Sequence, residues 1–213
     1  MLSLASASVS FTAPRANVVM TAAEPPKPFN PTEFAKTLPG ITEPLGFFDP
    51  LGFCASDGAS NEAVSEGKVR FYREVELKHG RVAMLAALGF PLAEQFHPLF
   101  ATDDAPSFSA FQQTPLQTFW PAVVGVIAII ETFSVFTFQN PASRMDNGEP
   151  AQPWTIRSDY EAGNLGFDPM GLRPTDPSEL LAMQNKEINN GRLAMIAIAG
   201  MVVQEGISGA KLF

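Results

Sequence analysis

Cysteine is almost absent from the chain. A single Cys54 rules out an internal disulfide and any cysteine-built zinc site, and two histidines, His79 and His97, are too few for a cluster of imidazole ligands. Charge is scarce too: Asp, Glu, Lys and Arg make up 17% of the 213 residues, against about a quarter in an average soluble domain. The charges that remain, 14 basic against 22 acidic, sum to −8 and argue against nucleic acid as a partner. No phosphate-cradling glycine loop, nucleophile elbow or paired-carboxylate hydrolytic site stands out, and the chain is read as a non-enzyme. Hydrophobic residues reach 46%, a balance that leans towards lipid, and the length suits one domain or a small membrane bundle.

What the chain does have is a repeat. Glu76-Leu-Lys-His-Gly-Arg-Val-Ala-Met84 and Glu187-Ile-Asn-Asn-Gly-Arg-Leu-Ala-Met195 share Glu, Gly, Arg, Ala and Met at equal offsets. Each copy follows a second shared phrase, Phe48-Asp-Pro-Leu-Gly-Phe53 and Phe167-Asp-Pro-Met-Gly-Leu172. Two phrases repeated in the same order mark an internal duplication.

Along the chain, residues 1–22 are rich in Ala, Ser and Val and carry Arg15 as their only charge, which reads as a targeting segment or else a disordered terminus. Residues 23–60 carry seven prolines from Pro25 to Pro50 and are expected to form an extended, turn-rich arm without helix. A unit over 61–209 then carries three helices. The first is expected over about 61–96, after the cap-like Ser60-Asn61 pair and with Pro91 near its end. The second, over about 115–138, holds one charge, Glu131, and is the clearest membrane span. The third, over about 177–205, starts behind Asp176 with Pro177 at its first position. The predicted fold class is an all-α membrane protein in which the first and third of three transmembrane helices cross about a pseudo-two-fold axis.

Spacing dictates the crossing. Within each motif the Arg follows the Glu by five residues, about 140° round the helix, so the two do not pair on their own helix. A two-fold packing of the duplicated helices supplies both partners: Glu76 meets Arg192 and Glu187 meets Arg81. An isolated charge at membrane depth costs at least about 2.5 to 3.5 kcal/mol, and reciprocal pairing neutralises all four. Gly80, Ala83, Ala86 and Gly89 recur every third residue, as do Gly191, Ala194, Ala197 and Gly200, two small-residue ladders suited to close crossing. On this scheme Arg192→Leu should harm the protein far more than Arg73→Leu. Polar residues also recur outside the pairs: His79 and Asn190 follow their Glu by three, and Gln204 lies 14 residues beyond Asn190. At lipid depth such atoms need partners, and axial ligation of magnesium, a hard cation, would satisfy them.

At these residues the chain resembles the chlorophyll-binding light-harvesting antenna family, over about Pro44 to Gly209. The resemblance implies a three-helix, multi-pass protein of the plastid thylakoid membrane, surrounded by thylakoid lipid. Glu76 and Glu187 would each hold a chlorophyll magnesium while pairing with Arg192 and Arg81. His79, Asn190 and Gln204 would be further axial ligands, and Glu131 matches a chlorophyll position of the family. The Asp49-Pro50 and Asp168-Pro169 turns resemble those that place the end groups of two carotenoids. The chlorophyll a/b branch of the family commonly has another ligand eight residues before the middle-helix Glu, where this chain has Val123, and the family has a late His beyond the third helix that this chain lacks. The short C-terminus and the Lys78-His79-Gly80-Arg81 wording look most like the fucoxanthin chlorophyll a/c-binding proteins of red-lineage algae. The pigments so implied are chlorophyll a, chlorophyll c and carotenoids, namely fucoxanthin and a xanthophyll-cycle carotenoid. The partners implied are a photosystem I or II core and neighbouring antenna subunits, served by excitation transfer.

Blander readings stand beside these. The Glu-Arg motifs could be a solvated network in a soluble bundle, Gln204 an interhelical hydrogen-bonding residue, and Glu131 the partner of a nearby base. His97, Glu94 and Gln95 mark the exit from the first helix, and Cys54 reads as an ordinary small residue. The alternative function is a photoprotective relative that dissipates excitation, with Glu94, Asp103 and Asp104 as titrating acids.

Overall fold

The computed structural model describes residues 29–55, 64–100, 106–110, 112, 116–138 and 154–212. The 1–22 segment, the Ser60-Asn61 pair, Asp103 and Asp104 lie outside the described residues. Among those described the protein is helical: α1 Pro31–Thr37, α2 Glu66–Phe100, α3 Ser107–Ala110, α4 Leu116–Ser134 and α5 Pro177–Ser208. A 3-10 turn, Val135–Thr137, follows α4, and one isolated antiparallel bridge joins Phe138 to Ile156.

The arm is not wholly extended as its prolines suggested. Asn30 accepts the N–H groups of Thr32 and Glu33 at 3.1 and 3.3 Å, and Pro31 sits where its missing N–H costs nothing. Those local signals outweigh the proline count and produce α1, with Glu33 in its first turn and Lys36 in its last. Ala35 of α1 packs with Val64 and Val69 in a small buried cluster that Phe34, Leu38, Phe47, Tyr72 and Cys54 cover. Burial first, then the Asp49 carboxylate, pushes the Cys54 thiol up, the direction that fits a structural cysteine.

The long helices also overrun the predicted ends. α2 passes through Pro91 to Phe100. α5 is capped by Asp176, which accepts the N–H of Ser178 at 3.1 Å, and tolerates Gly206. It stops only at Gly209, whose φ of 63° supplies the left-handed C-cap and whose N–H returns to Glu205 O at 2.8 Å. α4 is the helix among the described residues that is long and apolar enough to cross a membrane, over Gln117–Thr137.

α2 and α5 meet at one point. A Cβ added at Gly80 would lie 3.1 Å from Gly191 Cα, and one at Gly191 would lie 3.0 Å from Gly80 Cα. Ala83 and Ala194, one turn on, are buried. The ladders do not continue in contact: Gly89 and Gly200 are exposed, with nothing within 4 Å of an added Cβ. Two helices that cross at an angle touch only near the crossing, so the lower rungs splay apart instead of packing. Beyond it Val82, Leu85 and Leu92 of α2, and their counterparts Leu193, Ile196 and Val203 of α5, are exposed.

The far end of α4 is tied back to α2. Ile156 N–H donates to Gly67 O at 3.1 Å and Arg157 N–H to Thr137 O at 3.1 Å, with Thr155 and Ile156 buried against the Gly67 backbone. Phe71, Phe138 and Trp154 close the corner, their ring centroids 6.0 to 6.1 Å apart.

Overpacking the crossing should therefore be far worse than adding the same bulk beyond it. Gly191→Val is expected to cost about 1–3 kcal/mol, whereas Gly200→Ala should be near neutral, both read from thermal melts of the purified chain in detergent by circular dichroism.

Candidate functional site

The crossing brings the four motif charges together as the spacing demanded. Arg192 Nε donates to Glu76 Oε1 at 2.8 Å, and Arg81 Nε donates to Glu187 Oε1 at 2.8 Å. The pairs are reciprocal, each helix contributing one acid and one base, which is the contact pattern of a two-fold axis.

The two pairs differ in one respect that spacing did not reveal. Arg73 Nη1 donates to Glu76 Oε2 at 2.7 Å, and the Arg73 side chain is 11% exposed. Arg73 therefore belongs to the knot, against the expectation that it stands outside; the i, i+3 geometry of one helix places it there. The second half has Gln184 at the equivalent position, and it bonds Glu161 Oε1 at 2.8 Å instead. Among the described residues Glu187 consequently accepts through Oε1 alone, while both oxygens of Glu76 are engaged.

Each guanidinium also holds a loop. Arg192 Nη1 donates to Gly40 O at 2.6 Å, and Arg81 Nη2 donates to Gly163 O at 2.8 Å. The N–H groups of the same glycines go to the helices as well, Gly40 N to Asn185 Oδ1 and Gly163 N to Glu74 Oε2, both at 2.6 Å. Thr42 and Asn189 add a side-chain bond at 3.2 Å. Glu74, Asn185, Gly40 and Gly163 were not singled out from the sequence. The available signal was that Glu74 and Asn185 lie two residues before each motif Glu and seven before each Arg, two full helical turns on one face. Tyr160, close by, has its phenol pushed up to about 12, first by burial and then by the negative charge of Glu74.

The remaining predicted positions lie along α2, α4 and α5. His79 is exposed on α2, and its Nδ1 lies 2.8 Å from Val75 O. A carbonyl can only accept, so Nδ1 carries the proton and Nε2 presents a lone pair outwards. Asn190 and Gln204 are exposed on α5, and their side chains make no hydrogen bond to the described residues. Glu131 on α4 meets Lys78 Nζ at 2.5 Å and Ser134 Oγ at 3.1 Å, a link between α2 and α4. Glu94 is buried and accepts the N–H of Leu212 at 2.9 Å; Glu205, its counterpart in the repeat, is buried too.

The two Asp-Pro turns are near copies. Asp49 accepts the N–H groups of Phe53 and Cys54 at 3.0 and 2.9 Å, and Asp168 those of Leu172 and Arg173 at 3.0 and 2.9 Å. The N–H groups of Arg173 and Leu172 hold the Asp168 carboxyl below the usual carboxylate range. Beside the first turn lies a cavity of about 570 Å³, walled by the arm from Gly40 to Asp49 and floored by Glu76, Arg73 and Arg192.

No group of three His, Cys, Asp or Glu side chains gathers among the described residues. A magnesium ion held by one such atom needs its other donors from elsewhere, and a macrocycle that brings four of its own fits that chemistry.

A profile of the family described as "Chlorophyll A-B binding protein" matches residues 34–206. The chain belongs to this family. It is 44% identical over 196 residues to light-harvesting complex stress-related protein 1 of Chlamydomonas reinhardtii, covering 88% of this chain and 72% of the relative. It is also 44% identical over 179 residues to a fucoxanthin-chlorophyll a-c binding protein of Isochrysis galbana, covering 83% and 80%. A second stress-related protein of Chlamydomonas reinhardtii, 3.2, is 45% identical over 188 residues, covering 84% and 67%. All three relatives carry chloroplastic names.

In this chlorophyll a-b binding chain, the knot makes a sharp prediction. Arg192→Leu leaves Glu76 to Arg73 alone and drops the Gly40 carbonyl, so it should lower the thermal midpoint most. Arg73→Leu should now follow it closely, and a surface change such as Arg157→Leu should do little. Equal midpoints for Arg73→Leu and Arg157→Leu in melts of the purified protein would count against a place for Arg73 in the knot.

Proposed function

We propose that the protein is a light-harvesting antenna subunit of the thylakoid membrane. It holds chlorophylls and carotenoids at fixed spacing and passes excitation to a photosystem I or II core. The observation that carries this is the reciprocal Glu-Arg knot set among outward-facing single donors on apolar helix surfaces, in a chain of the chlorophyll a-b binding family. On this reading α2, α4 and α5 all span the bilayer, so the protein is multi-pass. α2 and α5, at 35 and 32 residues, exceed the length needed for a hydrocarbon layer of about 30 Å. Their charges near the crossing are neutralised in pairs, which lowers the cost of that depth.

The residues take defined tasks. Glu187, with Oε2 unbonded among the described residues, and Glu76, sharing its oxygens with two arginines, would each present a carboxylate to a magnesium. His79 presents Nε2, and Asn190 and Gln204 present amide oxygens. Glu131, already bonded to Lys78, would ligate only by sharing its carboxylate. Chlorophyll a, chlorophyll c, fucoxanthin and a xanthophyll-cycle carotenoid would supply the absorption, while the chain sets their positions and surroundings. The Asp49-Pro50 and Asp168-Pro169 turns, stiffened by carboxylate-to-backbone bonds, would seat carotenoid end groups, the cavity beside Asp49 being one such seat. The exposed apolar rows of α2 and α5 and the open faces of α4 become pigment and lipid contacts.

A second reading has its own support in the similarity to the stress-related proteins, namely a subunit that dissipates excitation. Chlorophyll bands in the absorbance of the detergent-purified chain are expected on both readings, and their absence would sink both. Glu187→Leu should remove about one chlorophyll per chain by pigment chromatography. Fluorescence lifetime between about pH 7.5 and 5 separates the readings: a lifetime that shortens on acidification favours dissipation, and a constant one favours harvesting.

A further inference from the structure

The arm in front of each crossed helix is gripped by the other half of the molecule. The arm that precedes α2 contributes Gly40, and its partners are Asn185, Ile188 and Arg192 of α5. The arm that precedes α5 contributes Gly163, and its partners are Glu74, Leu77 and Arg81 of α2. These triads are equivalent in the repeat: Glu74 with Asn185, Leu77 with Ile188, Arg81 with Arg192. Within each, residues at intervals of three and four share one helix face.

Both glycines need to be glycines. Their φ values are 97° and 80°, in the left-handed region. A Cβ would lie 2.9 Å from Ile188 Cγ2 at Gly40 and 2.7 Å from Leu77 Cδ1 at Gly163. The backbone therefore lies directly on a buried aliphatic side chain, its N–H bonded to one end of the triad and its C=O to the other. The first contact uses a neutral amide acceptor, the second a carboxylate, so an acceptor oxygen is what the two share.

We propose that Glu74 and Asn185 are positioning residues: they exchange and clamp the two arms, and thereby fix the arginines that orient Glu187 and Glu76. Each arginine spans the arm carbonyl and the opposing glutamate with two nitrogens of one rigid guanidinium. Shifting the arm turns the guanidinium, and the carboxylate turns with it. Glu74 serves the Arg81–Glu187 side and Asn185 the Arg192–Glu76 side. The effect on pigment rests on the reading of Glu76 and Glu187 as magnesium ligands; the clamp does not.

The test uses the full chain refolded in detergent with a thylakoid pigment extract and then exposed, in separate digests, to a Glu-specific and a Lys-specific protease. Glu161 stands two residues before Gly163, and the exposed Lys36 four residues before Gly40, so each arm carries its own cleavage site. Glu74→Leu should speed cleavage after Glu161 roughly tenfold and leave Lys36 alone. Asn185→Leu should do the reverse. Glu74→Gln, which keeps an acceptor oxygen, should behave like the wild type. In absorbance, the Glu74→Leu minus wild-type difference should match that of Glu187→Leu, and the Asn185→Leu difference that of Glu76→Leu. If Glu74→Leu does not refold, Gly163→Ala displaces the same arm and is judged by the same pattern. Both arms loosening together in each variant would overturn the clamp, and selective cleavage with an unchanged spectrum would overturn its positioning role. A wild-type chain without chlorophyll bands would sink the functional reading, while the cleavage pattern would still decide the clamp.

Discussion

Everything in this fold depends on a Glu and an Arg in each half that cannot pair with each other on their own helix. Five residues apart, they point about 140° away from each other, and a charge held at a helix crossing is costly if left alone. The partner has to come from another helix, and a duplicated helix offers it twice for one act of packing. That constraint determines which helices touch and at what height. The glycine pair Gly80 and Gly191 then admits the backbones to contact distance, close enough for the short Glu-Arg reach.

The same guanidinium groups also reach outwards to the arms. Arginine has five donors in a planar fork and can serve a carboxylate and a backbone carbonyl together without moving. Each knot therefore joins two helices and one arm, and the turns that follow, built on Asp49 and Asp168, inherit their placement from it. Symmetry is not complete. Arg73 gives Glu76 a second guanidinium, while its counterpart Gln184 turns to Glu161. A carboxylate with both oxygens bonded to guanidinium groups has less free for another ligand than one bonded through a single oxygen, so two equivalent-looking glutamates are chemically unequal.

By contrast, α4 meets the crossed pair through little protein. Its polar link is Glu131 to Lys78, and its end is held at the Phe71, Phe138 and Trp154 corner. Its apolar faces are open. A helix of that composition cannot be stable against water on all sides, and bulky apolar material between and around the helices would resolve the conflict.

Local chemistry determined a good deal without any tertiary knowledge. The Asp176-Pro177 start of α5, the uncharged run of α4 and the duplicated Glu-Arg wording are short-range signals, and spacing alone dictated the cross-pairing because a helix has a fixed pitch. Other features were decided only by the fold. α1 formed within a proline-rich arm because one cap and one buried face at Ala35 suffice for two turns. The small-residue ladders ended before Gly89 and Gly200, because crossing helices diverge whatever their sequence. Gly40 and Gly163, sitting in unlike words, became equivalent partners of equivalent triads. Such contacts join residues 82 to 152 positions apart, and their geometry exists only once the two halves have packed.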